Sequence, residues 1–206
     1  MNFLTDLSDE AVILPVAATV GLILWAQGWR RGALGWSLAV GGTLTTMLVM
    51  KLVGIACGPD MLRTPSGHTA AAAVVCGGLV VILGRGGRCR TVLLAAVPAA
   101  VIIGLLRWLG RVHTVPEVVL GGMIGIGGAL ILARLAGAPP AGLRARWVVG
   151  AVIATLVLFH GWRLPAEAHI RMLALLGARE LRICRGIPAS MSVPPAPRLA
   201  GSLWRN

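Results

Sequence analysis

The fold class predicted by this sequence is all-α, a polytopic membrane bundle of about six transmembrane helices, and three observations predict it. Of 206 residues, 57% are hydrophobic and only 13% are charged, about half the charge of a typical soluble chain. Mean hydropathy is +0.85. The apolar residues fall in runs bounded by Arg, Gly or Pro, and the length suits about six runs of roughly 20 residues, the helical depth of a bilayer core. Intrinsic disorder is excluded by the same figures, because it needs low hydrophobicity with high charge.

The first run, 11–27, follows an N-terminus with Asp6, Asp9 and Glu10 and no basic residue. That is the wrong leader for a cleaved signal peptide, so the run is expected to remain as a helix. Runs 33–56, 69–84, 91–109, 118–136 and 147–162 follow. The third and sixth are short for a crossing and must borrow length from their flanks. Pro98 is expected to kink the fourth. In the fifth, Gly121 and Gly125 stand four apart, with Gly122, Gly127 and Gly128 beside them, a spacing that lets helix backbones approach closely in lipid. Residues 1–165 thus read as one six-helix domain. Residues 166–206 read as an amphipathic helix at 167–184, with Arg171, Arg179 and Arg182 on one face, then a disordered stretch holding Pro188, Pro194, Pro195 and Pro197.

The net charge of +12 would suggest nucleic acid in a soluble domain. Here the arginines sit at the ends of apolar runs, where Lys and Arg set membrane topology, and no nucleic-acid partner is expected. Arg30, Arg31, Arg85, Arg88, Arg90, Arg134, Arg144 and Arg146 fall on alternate connections that carry no acid. That side is predicted to be cytoplasmic, which leaves segments 57–68 and 107–117 facing the outside together. Seven further arginines after Trp162 oppose this orientation, and the core loops are expected to dominate. Cys57, Cys76, Cys89 and Cys184 form no CxxC pair and no metal spacing with histidine. Cys76 reads as a packing residue.

Ionisable residues at helix mouths in a membrane are functional candidates, and here they cluster on the two outer segments. Lys51 closes the second apolar run, Pro65-Ser66-Gly67-His68 opens the third, and Arg107, Arg111, His113 and Glu117 lie between the fourth and fifth. Such a set suits a phosphate ester, whose hydrolysis spreads negative charge that fixed cations must meet. Lys51 and Arg107 supply charge. The Ser66-Gly67 turn opens a helix whose free N–H groups bind anions, Ser66 offers a hydroxyl, and Gly67 allows close backbone approach. Two histidines divide the work: one attacks phosphorus as neutral imidazole, and the other protonates the leaving alkoxide. With Pro116 at the first helical position, Glu117 falls in the first turn, near enough to accept an imidazole N–H of His113.

The order of these residues resembles the type 2 phosphatidic acid phosphatase superfamily, which includes membrane lipid phosphatases and soluble vanadium haloperoxidases. Its signatures are Lys-x6-Arg-Pro, Pro-Ser-Gly-His and Ser-Arg-x5-His-x3-Asp. Here they read KLVGIACGP from Lys51 to Pro59, a complete Pro65-Ser66-Gly67-His68, and LRWLGRVHTVPE with Arg107, His113 and Glu117 in place. The resemblance covers roughly residues 45–130. It implies that His113 is the nucleophile that becomes phosphohistidine, oriented by Glu117. His68 would protonate the leaving group and then activate water. Lys51, Ser66, Gly67 and Arg107 would hold the phosphate, and no metal or other cofactor is implied.

Three positions depart from the pattern: Gly58 stands for the phosphate-binding arginine, Leu106 for the serine and Glu117 for the aspartate. Loss of one fixed donor of this kind costs roughly 10²–10³ in rate, and Arg63 and Arg111 are the candidate compensating cations on the same loops. The implied function is a membrane phosphatase acting on lipid phosphates or diphosphates, such as undecaprenyl diphosphate, phosphatidic acid or phosphatidylglycerol phosphate. The second reading is a catalytically impaired member that binds a lipid phosphate or serves a membrane complex. Eighteen Arg against one Lys, with much Ala and Gly, suggest a GC-rich bacterial genome. The expected place is therefore the bacterial inner membrane with the site facing outward, the partners being the bilayer and a lipid phosphate.

Overall fold

The computed structural model describes residues 10–57, 64–84, 89–159, 161, 170 and 172–174. They form an all-α bundle of six helices: α1 (Glu10–Ala26), α2 (Arg30–Cys57), α3 (Gly67–Leu83), α4 (Cys89–Leu109), α5 (Val115–Leu135) and α6 (Ala145–Phe159). Each of the six apolar runs has become one helix, with ends moved by a few residues. Three helices are long and apolar enough to cross a membrane: Arg30–Ile55 of α2, α4 and α5. The other three are shorter apolar helices of 15 to 17 residues.

Helix α3 is the centre, packed against α4 and α5, which also pack on each other. Helix α2 lies against α5, α1 and α3, and α6 rests on α1. In lipid the hydrophobic effect gives helices no reason to associate, so close packing must do it. The sequence supplies the small residues. Gly121, Gly125 and Gly128 line one face of α5, and a Cβ on each would stand 2.4 Å from the Ser66 carbonyl oxygen, 2.2 Å from that of Ala70 and 2.3 Å from Thr43 Oγ1. Ser66, Ala70 and Val74 are successive turns of α3, and Val74 also meets Gly128. The glycine ridge therefore fixes the register of α5 on α3 and α2. The buried Trp36 of α2 fills the space over Gly78 and donates its indole N–H to the Ala17 carbonyl of α1 at 2.9 Å.

One end of the bundle is rich in arginine. Trp29 Nε1 donates to the Ala136 carbonyl at 3.2 Å and Arg31 Nε to the Leu135 carbonyl at 3.0 Å. They satisfy acceptors that the end of α5 leaves open and set a cation against its negative dipole end. The Arg144 amide donates to Gln27 Oε1 at 2.6 Å. Arg30 lies 5.5 Å from the Trp25 ring and Arg146 5.9 Å from that of Trp147, pairs suited to a membrane interface. Along α2, Arg30 and Lys51 are separated by roughly 30 Å at 1.5 Å per residue, so Lys51 belongs to the opposite end.

Helix α4 runs from Cys89 to Leu109 with Pro98 inside it. Two expectations change. Helix α5 begins at Val115 with Thr114 as N-cap, which puts Pro116 second rather than first in the helix. Cys76 is accessible and lines a cavity rather than packing in the core. The reading of 166–206 lies outside the described residues except for Ile170 and 172–174, which are helical, with Ala174 buried.

Candidate active site

The turn between α4 and α5 is built on one carbonyl. Arg107 O accepts the amides of Val112 at 3.1 Å and His113 at 3.4 Å, while Gly110 and Arg111 bond back to Leu106 and Trp108. Helices commonly end in this way on a residue in the left-handed region, usually glycine; here it is Arg111, with φ 54°. The five residues between Arg107 and His113 are thus the last helical turn plus one reversal. The reversal returns His113 toward the helix that carries Arg107.

His113 then meets Glu117. Its Nδ1 lies 3.0 Å from Glu117 Oε2, and the same oxygen accepts the Thr114 amide at 3.0 Å. A carboxylate only accepts, so Nδ1 carries the proton and Nε2 keeps its lone pair. The helix start thereby orients the imidazole, since the third residue of α5 reaches back to the cap as such residues do.

The second histidine segment is bound to the same helix. The Ser66 amide donates to the Glu117 carbonyl at 2.9 Å, and Gly121, one turn further along α5, leaves room for the Ser66 carbonyl. Pro65, Ser66 and Gly67 are buried, and His68 is half-buried in the first turn of α3. Ser66 makes no side-chain cap to that turn; its Oγ instead accepts from Thr69 Oγ1 at 2.9 Å. Both residues are fully buried. Thr69 is a contributor that sequence reasoning missed, although its place three residues after Ser66 was a signal for it.

Cations complete the arrangement. Lys51 is only 6% exposed and Arg107 is half-buried, with its Nε shielded from solvent. The pKa of His113 lies below its ordinary value. Burial is the main cause, Arg107 and Lys51 add repulsion, and Glu117 opposes them through its hydrogen bond and charge. The structure thus brings together Ser66, Arg107, His113 and Glu117 with Lys51 in electrostatic reach, from α2, α3, α4 and α5. Arg111 is exposed and Leu106 half-buried. Gly58 and Arg63 lie outside the described residues. A half-buried imidazole with a fixed tautomer, cations beside it and a helix N-terminus bonded to the same element can bind an anion and attack it.

Residues 53–139 match the family model described as the PAP2 superfamily. The match begins two residues after Lys51 and takes in both histidine segments. No curated protein and no solved structure matches the chain.

Proposed function

We propose, from the match of residues 53–139 to the PAP2 superfamily model, whose members are phosphatases of phosphate esters and often of lipid phosphates, that the chain belongs to this superfamily and hydrolyses a lipid phosphate or diphosphate through a phosphohistidine. The single observation that carries this reading is the pair of bonds on Glu117: its carboxylate holds His113 Nδ1 and its carbonyl holds the Ser66 amide.

In the first step Nε2 of neutral His113 attacks phosphorus, and the P–O bond to the lipid alkoxide breaks. The leaving oxygen takes a proton from His68. Lys51, Arg107, the Ser66 hydroxyl and the α3 N-terminus, opened by Gly67, balance the charge on the phosphoryl oxygens. In the second step His68, now neutral, takes a proton from water as that water attacks phosphorus; the P–N bond breaks and phosphate departs. The depressed pKa of His113 keeps the attacking imidazole unprotonated near neutral pH. Arg63 and Arg111 are the cations proposed to replace the charge absent at Gly58.

The arginine-rich end is cytoplasmic by the positive-inside rule, and all six helices cross the membrane. The site, at the opposite end, faces the exterior or periplasm of a bacterial inner membrane. The second reading, a catalytically impaired binder of lipid phosphate or partner in a membrane complex, is favoured by Gly58 and Leu106. The retained pair His68 and His113 favours the enzyme.

Phosphate release from long-chain lipid phosphates by the detergent-purified protein in EDTA tests the proposal. Release is expected, and His113→Ala should abolish it. Binding of lipid phosphate with no release would establish the second reading, and a requirement for added divalent metal would refute the histidine mechanism.

A further inference from the structure

A cavity of about 420 Å³ lies between α1, α3, α4 and α6, within the range of small-molecule sites. Its walls include Ala72, Cys76 and Leu79 of α3, Ala99 and Ile103 of α4, and Val16 of α1. It begins one turn from the candidate active site on two helices at once. Ala72 is four residues after His68, and Ile103 is four before Arg107. At 100° per residue, His68 falls on the same third of α3 as Ala72, Val75, Cys76 and Leu79. Arg107 lies only about 40° around α4 from Ile103. From His68 to Leu79 the stripe runs roughly 16 Å down the helix.

The polarity along this path is that of an amphiphile. The upper end has the imidazoles and cations, and every lining residue below is apolar except the thiol of Cys76. Close packing elsewhere in α3 makes the gap notable, since Gly77 and Gly78 are closed over by Ala129, Trp36 and Leu132. Resting on the reading of the site as a lipid-phosphate phosphatase, we infer that this cavity holds the hydrocarbon chain of the substrate. The chain descends between α3 and α4 from the phosphate held at His113, with Cys76 about 12 Å down the stripe from His68. It follows that the enzyme discriminates by chain length as well as by headgroup.

Groove-filling variants test this. Cys76→Trp and, on the other wall, Ala99→Leu place bulk in the path, and Leu94→Trp, on a side chain 66% exposed away from the cavity, serves as control. Phosphate release is followed with a long-chain dialkyl phosphate in mixed micelles and with phenyl phosphate, which has no chain to place. Because micelle and groove are both apolar, wild-type preference reports fit rather than hydrophobic transfer. Overpacking of this kind should lower kcat/KM on the long-chain substrate on the order of tenfold or more, leave phenyl phosphate unchanged, and be absent from the control. Equal losses on both substrates, or no loss in either filling variant, would overturn the assignment. Wild-type protein that releases phosphate from neither substrate would defeat the phosphatase reading itself, and the groove assignment with it.

Discussion

Replacing Gly121 with alanine tests whether the packing of α5 on α3 builds the site. The new Cβ would stand 2.4 Å from the Ser66 carbonyl oxygen and 3.2 Å from the Ser66 nitrogen. Both are backbone atoms, so no side chain can swing aside. Real contacts to Cβ essentially never fall below 3.0 Å, so the two helices must separate by at least about 0.6 Å. The Ser66–Glu117 hydrogen bond lies one turn from that contact and must lengthen. Overpacking costs about 1–3 kcal/mol, and loss of one buried hydrogen bond about 0.5–1.5 kcal/mol more. Misplacement of catalytic groups by 1 Å costs on the order of 10²-fold in rate, so a fall in phosphate release of roughly ten- to a hundredfold is expected. The control is Gly127→Ala, on the same helix with nothing within 4 Å of its new methyl, where helix propensity predicts a gain of up to about 1 kcal/mol. Thermal unfolding in detergent and phosphate release would be measured on both. If Gly121→Ala matched Gly127→Ala in stability and rate, the claim that the glycine ridge positions Ser66 would be wrong.

Other outcomes follow from the same geometry. Glu117→Gln removes the carboxylate that fixes the His113 tautomer and should cost about 10²–10⁴-fold in kcat with little change in unfolding temperature; a rate within a few-fold of wild type would remove Glu117 from the mechanism. The acid limb of kcat/KM should lie below the ordinary histidine value, because burial, Arg107 and Lys51 all depress the pKa of His113. Lys51→Met should move that limb to higher pH and Glu117→Gln to lower pH, as pH–rate profiles would show. For stability the sign is the same: between the two pKa values the unfolded chain binds the proton and the folded chain resists it. The His113 contribution therefore falls as pH drops from about 6.5 toward the folded value, and His113→Gln should flatten that part of the stability–pH curve. Arg111→Gly relieves a left-handed backbone and should stabilise the turn by up to about 1 kcal/mol, whereas Arg111→Ala should not. If Arg111 supplies charge to the phosphate, both variants lose rate.

The six helices were legible because each apolar run is long compared with the few residues by which its ends can shift. The spacing between His113 and Glu117 was equally legible, because a helix start converts a four-residue interval into a contact. Contacts between distant parts of the chain were not. Gly121 could be recognised as a close-approach residue, but nothing in the sequence says that it faces Ser66, 55 residues earlier. Cys76 was misjudged for a related reason: apolar neighbours in sequence show that a residue lies at membrane depth, but not whether a facing helix fills the space beside it. The continuity of α4 through Pro98 shows that proline is tolerated in a membrane helix, where neighbouring helices can satisfy the freed backbone groups.

The wedge that closes the bundle comes late in the chain. Helices α2, α3 and α4 are synthesised first, yet the carbonyls of Ser66 and Ala70 receive their facing glycines only from α5. Lys51 and Arg107 must therefore enter the membrane boundary before the residues that organise them exist. A nascent chain that stops short of α5 holds the cations but neither the carboxylate that orients His113 nor the glycines that face Ser66 and Ala70.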